Sequence, residues 1–441
     1  HWYRSLAGYD LLRSDIGGGG KVQSSNFAML KALRQLGCLH LLRTYSKALT
    51  DDELCAPELK DLQYEAAWRA GQWTLPTALM RTQTLSAPKF NQNLHSSLRA
   101  LERGDGDYAS YEADRSRAEL LKQLINDGTE SADAMNVAIM RMRMLDDVSA
   151  AARLWRHFGS ENQTRRDNAI TSLKSSWKFR HVVDAPFKLI EPSLAIQGVI
   201  LRLAALHENF AQHMTRTSIL ARKAGNLTEG VQAMRKLRIM ASCPSSPGTK
   251  PLPDLILSRT SPWRVEEAKL LWAEGKSESA IAVVHSMLQL MNDGKKLYHA
   301  RQGAEHVLTT TMKTPDPRFF ELLCLLAKWQ ASARTESSIV LYQKFSDCID
   351  GLNEFYKLTL SQSKTRKGAN TVVYSKDGVT DVTQLRLLSR CHYRLAQFAD
   401  SQYRQLEERF NSPEWARSER LRRTNETELI TVKNEKEKKR I

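Results

Sequence analysis

Histidine and cysteine are the residue types of this chain that could hold a metal ion. Two histidine pairs lie six and seven residues apart, namely His207 with His213 and His299 with His306. A zinc site on one helix face uses histidines four residues apart, so neither pair fits that pattern. Cys38 with His40, and Cys391 with His392, are too close together to ligate one zinc ion, and no CxxC occurs. The spacing therefore predicts no metal-binding residue.

A glycine run near the start of the chain is the only candidate for a phosphate-binding loop. Gly17–Gly20 precede Lys21, but Val22 stands where such a loop places a hydroxyl side chain. The chain has no GxSxG elbow, and it lacks the glycine-rich strand turn, catalytic loop and DFG of a protein kinase. The sequence predicts neither a catalytic residue nor a cofactor-binding residue.

Adjacent carboxylates could act as an acid and base pair. They occur at Asp51–Asp52, Asp146–Asp147 and Glu266–Glu267. We expect these positions to be turns and helix starts, where the helix dipole stabilises negative charge. A structural explanation is therefore favoured over catalysis.

A helical hairpin is the element around which the chain is organised. Leu59–Met80 carries apolar residues at helical spacing, is interrupted at Gly71 and resumes at Pro76, with Trp68 and Trp73 on either side of the turn. The pattern recurs in Ser218–Met234, which turns at Gly225, and in Lys269–Met287, which turns at Gly275. Each hairpin leaves an apolar face that a neighbouring hairpin must bury. The predicted fold is an all-α, tetratricopeptide-like helical-repeat solenoid.

Composition limits the class of protein further. Lys and Arg number 65 against 49 Asp and Glu, giving a net charge of +16 that is spread along the sequence. Because no basic cluster is interleaved with exposed aromatic residues, a solvated surface is favoured over direct nucleic-acid binding. No apolar run reaches the roughly 18 residues that a membrane helix requires. Six dispersed cysteines are typical of reduced thiols in the cytosol or nucleus.

The remaining segments are assigned from periodicity and breaker residues. A helix with a break near Gly37 is predicted for Phe27–Ala48. A helix is also predicted for each of Asn93–Glu102, Tyr108–Ile125, Arg318–Ser332, Ser337–Leu360 and Val382–Phe410, and an exposed one for Glu414–Arg440. Ala132–Phe158 is predicted as a helix pair turning at Asp146–Asp147, with its four methionines (Met135, Met140, Met142 and Met144) filling the core. Pro186 and Pro192 mark a connector between Gly159 and Glu191, and Cys243–Pro262 and Ser361–Asp377 are predicted as surface loops.

Several segments resemble one family in the same order along the chain. They are LQYEAAWRAGQW (Leu62–Trp73), the YRS at Tyr3–Ser5 followed by the glycine run ending at Lys21, Leu33–Ala48, SILAR (Ser218–Arg222), WRVEEAKLLW (Trp263–Trp272) and LAQFADSQY (Leu395–Tyr403). Together they resemble the FAT region of the ataxia-telangiectasia-mutated (ATM) group of phosphatidylinositol-3-kinase-related serine/threonine protein kinases. The resemblance covers nearly the whole chain.

The resemblance implies a domain arrangement and a role. Residues 1–58 would form an N-terminal helical segment with a glycine-rich loop, residues 59–410 a FAT-type hairpin solenoid, and residues 411–441 a charged exit segment toward a kinase domain beyond this chain. It implies a non-catalytic clamp that regulates that kinase domain, supports a homodimer and engages protein partners of DNA-damage signalling. ATP and a divalent metal would belong to the kinase domain, which phosphorylates Ser or Thr followed by Gln. Nuclear localisation and telomere maintenance are further implications.

Two alternatives remain open from the sequence. A free-standing helical-repeat adaptor would keep the fold without a kinase, although a chain that begins at His1 suggests a piece of a longer protein. Ser361 is followed by Gln362 in a predicted loop, which makes it a candidate autophosphorylation site.

Overall fold

A computed structural model describes residues 28–30, 32–34, 41, 44, 57–74, 89–126, 132–158, 163–180, 186–242, 261–302, 317–366 and 377–438. By residue contacts the chain divides into two compact units, His1–Glu274 and Gly275–Ile441. The first unit contains helices α1 (Pro57–Ala70), α2 (Phe90–Glu102), α3 (Gly106–Asn126), α4 (Ala132–Phe158), α5 (Gln163–Arg180), α6 (Phe187–Leu203), α7 (His207–Lys223), α8 (Leu227–Ser242) and α9 (Pro262–Ala273). Short helical stretches also lie between residues 28 and 44.

The second unit contains helices α10 (Ser277–Gln302), α11 (Pro317–Ala333), α12 (Ser338–Arg366), α13 (Asp377–Phe410) and α14 (Pro413–Lys438). Within each unit most helices pack against the next helix along the chain. No β-strand occurs in the residues that the structure describes. The predicted all-α helical-repeat solenoid is confirmed.

A left-handed residue closes each tight hairpin. Gly71, Gly104, Gly225 and Gly275 have φ between 73° and 88°, a conformation that glycine adopts without a Cβ penalty. At Gly225 the N–H bonds to the carbonyl of Arg222 at 3.1 Å, and the next N–H bonds to Ala221 at 2.9 Å. Ala205 and Arg334 hold the same conformation at two further helix ends, with φ of 51° and 53°. The hairpin therefore ends in the same way whether or not its sequence contains a glycine.

A large apolar cluster extends through the helices of the first unit. It runs from Trp68 on α1 through Leu98 on α2 and Leu145 on α4 to Ile196 on α6 and Trp263 on α9. Gly106 allows α3 to approach α4 closely, because a Cβ there would lie 2.8 Å from the carbonyl oxygen of Ala152. The helices thus stack through one shared core, as a helical repeat requires.

The structure corrects the prediction of a helix pair around Asp146–Asp147. Residues 132–158 form one uninterrupted helix, α4. Adjacent acids suggested a turn, but Asp147 is buried and accepts side-chain hydrogen bonds, so its charge is accommodated inside the helix. Of the four methionines, Met140 and Met144 are buried as predicted, whereas Met135 is exposed.

The predicted connector between Gly159 and Glu191 is also wrong. Gln163–Arg180 form α5, and among its residues whose burial is described Leu173 and Trp177 are buried while Ala169 and Ile170 are partly buried. So narrow an apolar line gives a weak periodic signal in the sequence. Pro192 lies inside α6, where the lost backbone hydrogen bond is offset by burial of neighbours such as Leu194 and Ile196.

The loop predicted from Ser361 begins too early. α12 continues to Arg366, so Ser361 has a helical backbone. Lys364 and Arg366 lie in the last turn, where positive charge favours helix formation.

Several predictions fall outside the described residues. They are the segments His1–Asp15 and Gly17–Gly20, most of Phe27–Ala48, the second arm of the first hairpin from Pro76 to Met80, and the loop from Cys243 to residue 260. The start of that loop prediction is untested, and its last residue, Pro262, begins α9.

Candidate functional site

The signature hairpin holds a buried ion-pair network. Glu65 and Arg69 lie one turn apart on α1, and both are more than 90% buried, with exposed fractions of 4% and 7%. Arg69 Nε donates to Glu65 Oε1 at 3.0 Å, and its Nη2 donates to Glu191 Oε2 on α6 at 2.9 Å. Arg34 Nε donates to the other oxygen of Glu65 at 2.6 Å. The network, termed here the Arg69 interlock, joins residues far apart in the sequence.

Burial and charge act in opposite directions within the Arg69 interlock. Burial disfavours the charged form of Arg69, but Glu191 and Glu65 outweigh it and raise its pKa. Burial likewise opposes ionisation of Glu191, and Arg69 outweighs it and lowers the pKa. Burial, followed by the charge of Glu191, raises the pKa of Glu229 on α8 from 4.5 to about 7. Glu229 is therefore the member of this group that titrates near neutral pH.

A cleft of about 310 Å³ adjoins the Arg69 interlock. Arg69, Arg202 and Lys236 contribute its cationic side chains, and Phe210 and Met240 contribute apolar surface. Glu191 and Glu229 act electrostatically on Arg69 and Lys236, whereas burial lowers the pKa of Arg202. The cleft thus shares two of its cations with the buried charge network.

Aromatic residues of the signature fix α1 against α2. Trp68 is fully buried, and its Nε1 donates to Asn91 Oδ1 at 3.2 Å. Trp73 follows the turn and packs against His95, with ring centroids 5.7 Å apart. His95 also contacts the Gln72 carbonyl at 2.9 Å. The two predicted aromatic anchors therefore hold the hairpin turn on the neighbouring helix.

Asp147 is a second buried charge. Its carboxylate accepts hydrogen bonds from Trp177 Nε1 at 3.0 Å, Gln197 Nε2 at 3.0 Å and Ser193 Oγ at 3.2 Å. These donors lie on α5 and α6, so one side chain connects three helices. Such a fully bonded carboxylate is suited to holding the stack rather than to catalysis.

Glu266 and Glu267 occupy the middle of α9, not a helix start as predicted. Both are buried, and each is paired with arginine from an adjacent helix: Arg222 Nε donates to Glu266 at 2.6 Å, and Arg238 pairs with Glu267. Arg264 Nη1 adds a 2.7 Å bond to Glu267. The helix dipole does not explain this carboxylate pair, whereas cross-helix ion pairing does.

The last two helices carry an exposed apolar surface. Leu421, Leu429 and Val432 on α14 are 47–65% exposed, and their spacing places them on one side of the helix. Phe410 at the end of α13 packs edge-on against Trp415, with ring centroids 4.9 Å apart. Ser412 Oγ accepts the Trp415 N–H at 3.2 Å and caps α14. The predicted exposed exit helix is present, and it presents apolar side chains to solvent.

The structure separates the residues first considered for metal binding. His213 is buried and bonds to the Leu194 carbonyl at 2.8 Å, while His207 is exposed at the start of α7. Cys391 is buried and His392 is exposed. Within the described ranges, no group of three or more His, Cys, Asp or Glu residues could hold a metal ion. None of the helices in these ranges combines the length and the apolar composition that spanning a lipid bilayer requires.

Comparison with known proteins gives matches along most of the chain. The FAT domain family model matches residues 60–357. Serine/threonine-protein kinase ATM of Arabidopsis thaliana is 25% identical over 460 residues, covering 97% of this chain and 10% of that protein. Serine-protein kinase ATM of Sus scrofa is 22% identical over 455 residues, covering 99% of this chain and 13% of that protein. The chain thus spans about a tenth of the length of these curated relatives.

Proposed function

Because the chain belongs to the FAT domain family and is ATM-like, we propose that it is the non-catalytic helical segment that contacts and regulates the kinase domain of an ATM-type serine/threonine kinase. The resemblance predicted from LQYEAAWRAGQW and the segments that follow it is confirmed at the level of the family. A helical-repeat stack can bend elastically, so binding at one helix can alter how another helix presses on a partner.

The exposed apolar side of α14 is the observation that carries this proposal. Leu421, Leu429 and Val432 face solvent along one side of α14, whereas Ile430, which is 57% exposed, lies on the opposite side among residues that are mostly charged or polar. Apolar side chains aligned along one helix side are typical of a helix that docks into a groove of a partner. The proposed partner is the kinase domain of the same polypeptide.

The test uses the kinase polypeptide that contains this chain. Leu421→Asp combined with Leu429→Asp is expected to change phosphorylation of a peptide carrying Ser followed by Gln, and to increase hydrogen exchange of α14. Thr427→Asp is the matched control, because Thr427 is exposed on the opposite side of the same helix. Wild-type activity and unchanged exchange in the double variant would contradict the proposal.

The resemblance extends the proposal to the cellular setting. We infer a homodimeric kinase acting in the nucleus, in the response to DNA double-strand breaks and in telomere maintenance, with protein partners of DNA-damage signalling. ATP and a divalent metal are assigned to the kinase domain and not to this chain. Sequencing the transcript beyond codon 441 tests the premise: a kinase glycine-rich loop, catalytic Asp and DFG should follow, whereas a stop codon would favour a free-standing adaptor.

A further inference from the structure

Three cysteines from three different helices meet in the core of the second unit. Cys324 lies on α11, Cys348 on α12 and Cys391 on α13, and each has 0% exposed area. They share one apolar cluster with Phe320 and Phe345. All three are free thiols.

The contacts distinguish Cys324 from the other two cysteines. The thiols of Cys348 and Cys391 are both hydrogen-bonded with Cys324, and Arg394 Nη1 donates to Cys324 Sγ at 3.5 Å. The hydrogen bonds from the two thiols, aided by Arg394, lower the pKa of Cys324 although burial opposes this. The same hydrogen bonds raise the pKa of Cys348 and of Cys391, again with burial. Cys324 is therefore the cysteine of the cluster that a guanidinium contacts and whose pKa is lowered.

Arg394 connects this cluster with solvent. Its side chain is half-buried and lines an open cavity of about 420 Å³ together with Phe345 and Phe398. Phe345 also belongs to the apolar cluster that contains the three cysteines. The guanidinium that contacts Cys324 thus also lines a cavity that is open to solvent.

We propose that Cys324, Cys348 and Cys391 form a peroxide-reactive site, in which Cys324 is oxidised and closes a disulfide with Cys348 or Cys391. A guanidinium beside one cysteine, with two further thiols in the same cluster, favours such chemistry because it stabilises the thiolate and supplies a resolving cysteine. The disulfide would link α11 covalently to α12 or α13 and restrict the movement of these helices against each other.

The reaction proceeds in two balanced steps. The Cys324 thiolate attacks one peroxide oxygen, so an S–O bond forms, the O–O bond breaks, and the departing hydroxide is protonated to water. Sulfur is oxidised and peroxide is reduced by two electrons. The neighbouring thiol then loses its proton and attacks the sulfenic sulfur, so the S–S bond forms and hydroxide leaves with that proton as a second water.

The test treats the folded full chain with hydrogen peroxide, blocks remaining thiols with N-ethylmaleimide and digests the chain without reductant. Mass spectrometry should find a disulfide that joins Cys324 to Cys348 or Cys391. Cys324→Ala should leave both neighbours as thiols.

Arg394→Met keeps all the cysteines and tests whether the guanidinium promotes the oxidation of Cys324. It should slow disulfide formation by about fivefold or more, since the thiolate loses its only cationic hydrogen-bond donor among the described contacts. The matched control is Arg404→Met farther along α13, where Arg404 forms an exposed pair with Asp400 at 3.1 Å; its rate should match the wild type. Circular dichroism checks that each variant is folded. Absence of a Cys324 disulfide in wild type, or equal rates for Arg394→Met and wild type, would overturn the proposal.

Discussion

Arg69 shows how much of this fold depends on individual charged side chains. Its guanidinium binds two carboxylates and lies 5.0 Å from the Trp68 ring centroid, so one buried cation connects α1 to α6 and covers an aromatic anchor. Truncating one partner of a buried ion pair leaves the other charge without compensation, and this is more costly than the pair itself is stabilising.

Replacing Arg69 with Met should therefore lower the free energy of unfolding by about 3 kcal/mol or more. Arg69→Lys should give a smaller loss, because lysine keeps the charge but cannot bind Glu65 and Glu191 with a planar fork. Urea denaturation followed by circular dichroism measures both. Arg156→Met is the control: its pair with Asp107 is exposed, and its loss should cost less than about 1 kcal/mol. Equal costs for Arg69→Met and Arg156→Met would contradict this account of the Arg69 interlock.

Glu229 makes stability dependent on pH near neutrality. Its folded pKa of about 7 lies above the ordinary 4.5, so the folded chain holds the proton more tightly than the unfolded chain. The stabilisation that comes from this proton is thus fully present below pH 4.5, and it is lost as pH rises to about 7.

Glu229→Gln should remove the loss of stability that Glu229 causes as pH rises, because glutamine does not ionise. Relative to wild type, the variant should gain about 1–3 kcal/mol of stability between pH 5 and pH 8. Urea denaturation of both proteins across this range gives the difference directly. Parallel pH profiles would show that Glu191 and burial do not perturb Glu229 as described.

The sequence predicted some of these residues and missed others. It identified Trp68 and Trp73 as anchors because large aromatic residues flank a turn glycine. It did not identify the Arg69 interlock, because Glu191 is 122 residues away. A signal was present, however: Glu65 and Arg69 lie four apart among the buried alanines of α1, and charges on an apolar face require partners.

At the scale of the helices, a glycine in the sequence predicts some of the hairpin turns but not all of them. Turns at Gly71, Gly225 and Gly275 were predicted because glycine favours a left-handed backbone. Ala205 and Arg334 adopt the same backbone without a glycine, because the bond from the following N–H back to Leu201 or Gln330 closes the helix. Their turns carry a strain that glycine would relieve.

Exchanging residues at two equivalent ends tests this reasoning. Ala205→Gly should stabilise the chain by about 0.5–1 kcal/mol, because the left-handed penalty of alanine exceeds the entropy cost of glycine. Gly225→Ala should destabilise it by about 1 kcal/mol. At Gly225 a Cβ would meet no heavy atom within 4 Å, so its effect isolates the backbone term. Thermal unfolding measures both variants. Shifts of the unfolding temperature in the same direction would contradict the claim that Ala205 is strained and Gly225 is not.

Helix boundaries were predictable where the helix has a wide apolar face. α2, α3, α11 and α13 follow the predicted spans within a few residues. α5 was missed because its apolar face is narrow. The break in α4 was wrongly predicted because adjacent acids occur more often at helix ends. Burial of Asp147 depends on donors from α5 and α6, and local sequence does not contain that information.

At the scale of the whole molecule, the net charge is large, but many of the basic side chains are paired with acidic ones. Many arginines bond to acids on the same or a neighbouring helix: on α14, Arg422 pairs with Glu419 and Glu426 at 3.0 Å. The two compact units meet at Glu274 and Gly275 in the sequence, whereas the proposed division at residues 58 and 410 stays a prediction. A net charge of +16 distributed in this way favours weak, non-specific attraction to polyanions.

We therefore expect the chain to bind duplex DNA only weakly at physiological salt. Fluorescence anisotropy with a labelled duplex should give a Kd weaker than about 1 μM at 150 mM salt, in the range of non-specific contacts with phosphates. Affinity should rise steeply as salt is lowered, because each phosphate that is neutralised releases counterions, and duplexes of different sequence should bind alike. Binding in the nanomolar range at 150 mM salt would mean that the basic side chains form a dedicated groove. In that case the function proposed for the chain would include direct contact with DNA.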